Sequence, residues 1–373
     1  MWRRLVVLTL GFALASCGGD DSGANEQTGE DVEVATTTTV APATTTEAPT
    51  ISTTTTVPPT TTTEAPPAIA LVPDPQVSTV ADLLALDRPV IAAHAGGDRA
   101  YPHSTMYAFT RAALDGVDVL EMDVQMTADG VLVVHHDATV DRRTETSGRV
   151  RDLTVLELQE LDKAYWFHER GEARDLPDDQ YPFRGMRTGD VAPPPGYTAD
   201  DFKIETFRAI AQAFPLHVLD IEIKVPPDET NQDEAGDTAY AIEAARVLAD
   251  ELTELGRTDS VIVTSFSSEV VIAFRQLLPD VATSPGEDEM VAWYFGTGAI
   301  AEQDVVAQLP PERLGIDILD PELIARIHDA GIDLWIWPNR DDQENEMFYG
   351  SLFELGIDGV IAGVPAEGVS ALG

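Results

Sequence analysis

The chain of 373 residues carries 65 acidic against 23 basic side chains, for a formal charge of −42. So strong a negative field repels polyanions and argues against nucleic acid or a bare anionic membrane surface as a partner. The one cysteine, Cys17, rules out an internal disulfide.

Arg3-Arg4 precede an apolar run from Leu5 to Leu14, too short to span a bilayer and of the length of a signal-peptide core. The run closes as Leu14-Ala15-Ser16-Cys17-Gly18-Gly19, which resembles a bacterial lipoprotein signal. Residues 1–16 are then expected to be cleaved and Cys17 to carry the lipid. Acyl chains contribute about 0.8 kcal/mol per buried CH2, so several together anchor a protein stably. The expected location is the cell envelope, on the outer side of the cytoplasmic membrane, or outside the cell. Residues 17–78 continue as a Thr/Pro-rich linker in which Thr-Thr-Thr-Glu-Ala-Pro occurs at 44–49 and again at 61–66. With so few apolar residues this stretch cannot offset its ordering entropy, and disorder is expected.

From residue 79 to 373 the composition is that of a folded domain. Strand-like runs fall at 90–94, 118–126, 131–135, 216–224, 260–266, 281–285, 313–318, 333–337 and 359–362. Helical patterns fall at 104–115, 236–255, 267–278, 320–330 and 344–355. Alternation of this kind predicts a parallel α/β fold. Three helix ends share one signature: Asp115-Gly-Val-Asp118, Ala330-Gly-Ile-Asp333 and Leu355-Gly-Ile-Asp358. Glycine takes the left-handed turn and a strand follows, so these aspartates read as structural. A repeated helix–strand joint points to a (β/α)8 TIM barrel. Nine runs compete for eight places, and the link 127–130 is too short for a crossover helix. One of its flanking runs is therefore an irregular stave or a hairpin partner. After the third strand a loop-rich, aromatic segment, 163–203, interrupts the rhythm as an insertion expected to cover substrate.

The chemistry concentrates in Leu120 to Asp137. Glu121 and Asp123 lie on one face of a strand, roughly 6.5–7 Å apart at their Cα atoms, so both can reach one cation. His135-His136-Asp137 end the next run and deliver a possible acid/base group close to the carboxylates. His94 closes the first strand, where a barrel places its active-site face. Asp220, Glu222 and Lys224 share one face of the strand 216–224. A charged inward face is costly unless paired or metal-bound. An internal salt-bridge network of Lys224 with these acids is one reading; a third carboxylate ligand, Glu222, is the other. Three oxygen donors suit a hard divalent ion, Ca2+ or Mg2+. Two histidines, three carboxylates and a lysine at strand ends suit metal-assisted phosphoester cleavage.

His94, Glu121-Met-Asp123, Thr127-Ala-Asp-Gly130, Val133-Val-His-His136-Asp137, Asp141-Arg-Arg-Thr144 and Glu222-Ile-Lys224 occur in that order. In this order the motifs resemble the glycerophosphodiester phosphodiesterases. The resemblance implies a barrel hydrolysing glycerophosphodiesters, or lysophospholipids, to a glycerol phosphate and an alcohol. By motif position it implies His94 and His136 as the acid/base pair, Glu121, Asp123 and Glu222 as metal ligands, and Lys224 as a phosphate contact. The chain departs from the family at Ala95, where arginine is usual, and at Pro102-His103-Ser104-Thr105, where Pro-Glu-Asn-Thr is usual. His103 then either supplies the missing cationic contact to substrate or is a surface residue ahead of the helix, with Ser104 as its cap. These departures motivate the competing class, a non-catalytic barrel that binds a lipid head group or a metal.

Overall fold

Short β-branched runs pair in parallel here because a helix follows each and carries the chain back to the same end of the sheet. The computed structural model describes residues 72–172, 174–227 and 236–373. The expected signal sequence, Cys17 and nearly all of the linker 17–78 lie outside the described residues. The strands in chain order are β1 (Val90–Ala93), β2 (Val119–Met126), β3 (Leu132–Val134), β4 (Val218–Ile223), β5 (Val261–Thr264), β6 (Ala282–Thr283), β7 (Val306–Leu309), β8 (Asp333–Ile336) and β9 (Gly359–Ala362). All but β3 run parallel, in the order β6-β5-β4-β2-β1-β9-β8-β7. A parallel bridge between Thr283 and Asp304 joins the two ends into a barrel. At that seam Arg275 donates to Thr283 Oγ1 (3.0 Å), to Glu289 (2.7 Å) and to Asp304.

β3 is the hairpin partner: it pairs antiparallel with β2, Val124 opposite Val134 and Met126 opposite Leu132. Each of the eight staves is followed by a helix, including Phe207–Ala213, Glu287–Tyr294 and Pro365–Ser370, which the sequence patterns passed over. These three are short, so none displays two full turns of apolar repeat. The run 313–318 is not a stave. The seventh place belongs to 306–309, and Glu312–Arg313 pairs with Ile316–Asp317 in a two-stranded ribbon. Pro310-Pro311, which cannot donate to a ladder, ends the stave early.

Helix Met106–Asp115 shows how the joints work. Thr105, rather than Ser104, caps it by accepting from the Ala108 N–H, and Gly116 at φ 92° ends it. Phe109 is fully buried against the barrel, worth roughly 1.5–3 kcal/mol. The aspartate of the joint, Asp118, accepts from Arg88 and from the Ile91 N–H, a structural role. Described residues of the insertion 163–203 pack on this helix: Phe183, Tyr197 and Phe202 surround Tyr107. Arg170 ties the insertion to the strand-end loops through the Arg99 carbonyl and Glu367. The aromatic residues therefore hold the insertion beside the rim. Among the described residues no helix is long and apolar enough to cross a membrane.

Candidate active site

β1 ends at Ala93 and the chain turns back through three left-handed residues, Ala95 (φ 47°), Gly96 (φ 80°) and Gly97 (φ 97°). Glycine tolerates this; an alanine pays about 1–2 kcal/mol. The turn has a use. It presents His94 at the rim and aims the Ala95 N–H at Glu121 Oε2, 2.6 Å away. It also brings Asp98 back to His94 Nδ1 at 3.0 Å. His136 is held the same way, with Nδ1 2.8 Å from Asp137 Oδ1. Arg142 then clamps Asp137 with two bonds, of 2.8 and 2.7 Å. Burial pushes Asp137 upward, but the bonds from His136 and Arg142 hold its carboxyl far below the usual range. Both rings thus use Nδ1 for a carboxylate and leave Nε2 for a ligand.

Inside the barrel, β2 and β4 stand in register with Glu121 opposite Asp220 and Asp123 opposite Glu222. Four carboxylates therefore form two adjacent rows. Burial, then Asp123, raises Glu121 well above its ordinary value. Asp123 stays below its own: burial opposes ionisation, and His136, Lys224 and His94 outweigh it. Burial lifts Asp220 to about 7. The same field acts on His94, where burial opposes the charge but Asp98, Glu121 and Asp123 raise it to about 10.

Lys224 Nζ lies 2.8 Å from Glu222 Oε1 and 3.5 Å from Asp123 Oδ1. The internal salt bridge is thus formed. Among the described residues no group of three or more His, Cys, Asp or Glu side chains stands spaced to hold an ion. The reason is visible: the ammonium fills the gap between Asp123 and Glu222, while Glu121 faces the Ala95 N–H. The donor chemistry nevertheless suits a hard cation. Asp123 Oδ2 is buried with no hydrogen-bond partner, an oxygen left for something positive.

His103 is not a surface residue. It is 3% exposed, with its ring edge-on to His94 at 6.4 Å and to His136 at 6.0 Å. Nor is it a cation: burial, Arg143, Lys163 and both flanking histidines push it well below its ordinary value. His135 is buried with Nε2 on the Thr139 carbonyl and Nδ1 on Lys163, away from the other three rings. Sequence reasoning missed Asp98, whose signal was a His-x-x-x-Asp spacing within a glycine-rich turn. It also gave no role to Arg142, which lies in a quoted motif.

A parallel barrel with paired imidazoles and inward carboxylates at its strand C-termini has the layout of a barrel enzyme acting on a small ligand. Residues 94–367 match the model of the glycerophosphoryl diester phosphodiesterase family, and the chain belongs to that family. It is 29% identical over 203 residues to a glycerophosphodiester phosphodiesterase of Bacillus subtilis, covering 54% of this chain and 60% of the relative. It is 42% identical over 90 residues to one of Caldanaerobacter subterraneus, covering 24% and 37%. The chain thus spans under two thirds of the length of either relative. Its fold is similar to that of an Oleispira antarctica phosphodiesterase solved with the product sn-glycerol-3-phosphate, at TM-score 0.56 and 18% identity, over 76% of this chain and 96% of the other.

Proposed function

We propose that this protein hydrolyses glycerophosphodiesters to a glycerol phosphate and an alcohol, with His94 and His136 as the acid/base pair. The observation that carries the reading is the matched anchoring of both rings, each through Nδ1 to a carboxylate, in a chain of this family. One imidazole takes the proton of the attacking hydroxyl or water; the other returns one to the departing alkoxide oxygen. Carboxylates on Nδ1 fix the ring orientation and stabilise whichever ring is charged.

Glu121, Asp123 and Glu222 are the proposed ligands of a divalent cation, Ca2+ or Mg2+. Bound there, such an ion would supply positive charge to offset that on a phosphoryl oxygen. Bringing the three carboxylates together requires Lys224 to leave the gap it now fills. Lys224, whose ammonium stands beside these carboxylates, is the proposed phosphate contact. Lysophospholipids are the second substrate class. The membrane partner is reached through a lipid on Cys17, placing the barrel on the outer side of the cytoplasmic membrane.

The test is glycerol phosphate release from glycerophosphocholine and from lysophosphatidylcholine, with Ca2+, Mg2+ or a chelator. Turnover that the chelator abolishes is expected; no turnover of either, in protein that still binds the ion, sinks the proposal. For the anchor, mass spectrometry of the protein from membranes should find acyl groups on Cys17, and Cys17→Ser should release it.

A further inference from the structure

One buried imidazole at the rim has no part in that chemistry. His103 packs edge-on against each of the two proposed acid/base rings, at interplanar angles of 72° and 78°. Its neighbour Ser104 places Oγ 2.6 Å from His103 Nδ1. Ser104 is itself left-handed, at φ 54°, and its N–H donates to the Ala95 carbonyl at 2.8 Å. Only four non-glycine residues take positive φ among the described residues, and these two each follow a rim histidine directly. Strained residues of this kind persist where the surroundings over-determine them and cluster at functional sites. Here one hydrogen bond between two strained residues sets His103 beside His94.

The ring is neutral, so it carries one proton on one nitrogen. A Ser104 hydroxyl that donates to Nδ1 leaves that proton on Nε2. In an in-line displacement at phosphorus, the attacking and leaving oxygens lie on opposite sides. The rings that serve those oxygens therefore flank the phosphoryl group, and its non-bridging oxygens face what lies between. His103, in ring contact with both His94 and His136, is placed to meet those oxygens. We propose that His103 donates its Nε2–H to a non-bridging oxygen of the phosphodiester, with Ser104 setting its tautomer. The inference rests on the reading of His94 and His136 as acid and base. A neutral donor suits this place, since a fixed cation would disfavour protonation of both neighbours.

The test uses the full chain with divalent ion, glycerophosphocholine as substrate, and His103→Phe, His103→Gln and Ser104→Ala variants. Phenylalanine keeps the ring packing and loses the donor; glutamine loses the ring and keeps a donor. Losing a donor of this type lowers kcat by about 10²–10³-fold. The Phe variant should show that loss at an unchanged melting temperature. The Gln variant should stay within about tenfold of wild type, and Ser104→Ala should fall between the two. A Phe variant as active as wild type, or a Gln variant no better than Phe, overturns the proposal. Calorimetry with inorganic phosphate separates the two claims. Wild-type protein that binds phosphate without turnover sinks the acid/base reading, whereas a Phe variant that binds phosphate as wild type does sinks the donor.

Discussion

At the barrel seam Arg275 meets Asp304, Glu289 and Thr283, and the Thr283 hydroxyl in turn donates to Asp304 at 2.7 Å. At the rim Arg142 meets Asp137, which also holds His136. Both clusters pair a guanidinium with a carboxylate, buried at the seam and partly exposed at the rim. They differ in what is left over. The seam cluster closes on itself and joins the first and last strands of the sheet path. The rim cluster holds an imidazole whose Nε2 stays available, next to Asp123, whose Oδ2 has no hydrogen-bond partner. A saturated polar cluster stabilises an architecture, whereas an incompletely satisfied one marks where a ligand is to complete it.

That contrast can be broken by substitution. The largest effect falls on turnover: His136→Ala should lower kcat by about 10²–10⁴-fold, the usual worth of a positioned acid or base. Its melting temperature and divalent-ion affinity, read by calorimetry, should stay near wild type; a large loss of ion affinity would contradict the acid/base role. Arg275→Ala should do the reverse. It leaves Asp304 buried and uncompensated, at a cost of about 3–5 kcal/mol measured by urea denaturation. The folded fraction should keep its turnover, and a catalytic defect without loss of stability would erase the distinction.

The opposite rim supplies a milder contrast. His217, just before β4, is lowered to about 4 by burial and then by Arg257. Between pH 6.5 and 4 the unfolded chain holds a proton there that the folded chain does not. Stability therefore falls as pH drops through this window and levels off below it. The size is on the order of 3 kcal/mol, read as the difference in denaturation free energy between wild type and His217→Gln at pH 7 and pH 4. An identical pH slope in both proteins would refute it. The smallest effect concerns Lys224→Met, which removes the ammonium competing for Asp123 and Glu222. Divalent-ion affinity should rise several-fold while KM for substrate worsens; weaker ion binding would mean that Lys224 organises the carboxylates rather than blocking them.

Much of this was legible in the chain. Alternation in Glu121-Met-Asp123-Val and in Asp220-Ile-Glu-Ile-Lys224 put acids on an inward face, and the strand register confirms that face. Glycine at 116, 331 and 356 marked three helix–strand joints, all left-handed. What escaped had physical causes. The stave 306–309 hid because its run is short and Pro310-Pro311 follow. Asp98 reaches His94 through a turn of left-handed residues, so neither helical nor strand periodicity reveals the pair. The burial of His103 depends on rings from two other segments, His94 and His136, and on the pushed-back Ser104. Its neutrality depends first on that burial and then on Arg143 and Lys163. No local pattern carries such information.

The central claim is that the two carboxylate-anchored histidines perform acid/base work on a phosphodiester. Its most direct measurement is glycerol phosphate release from glycerophosphocholine, in Ca2+ or Mg2+, by wild type and by His94→Ala and His136→Ala side by side. The account predicts steady turnover by wild type and its near-complete loss in each variant, with all three equally stable. Variants that match a turning-over wild type would contradict it.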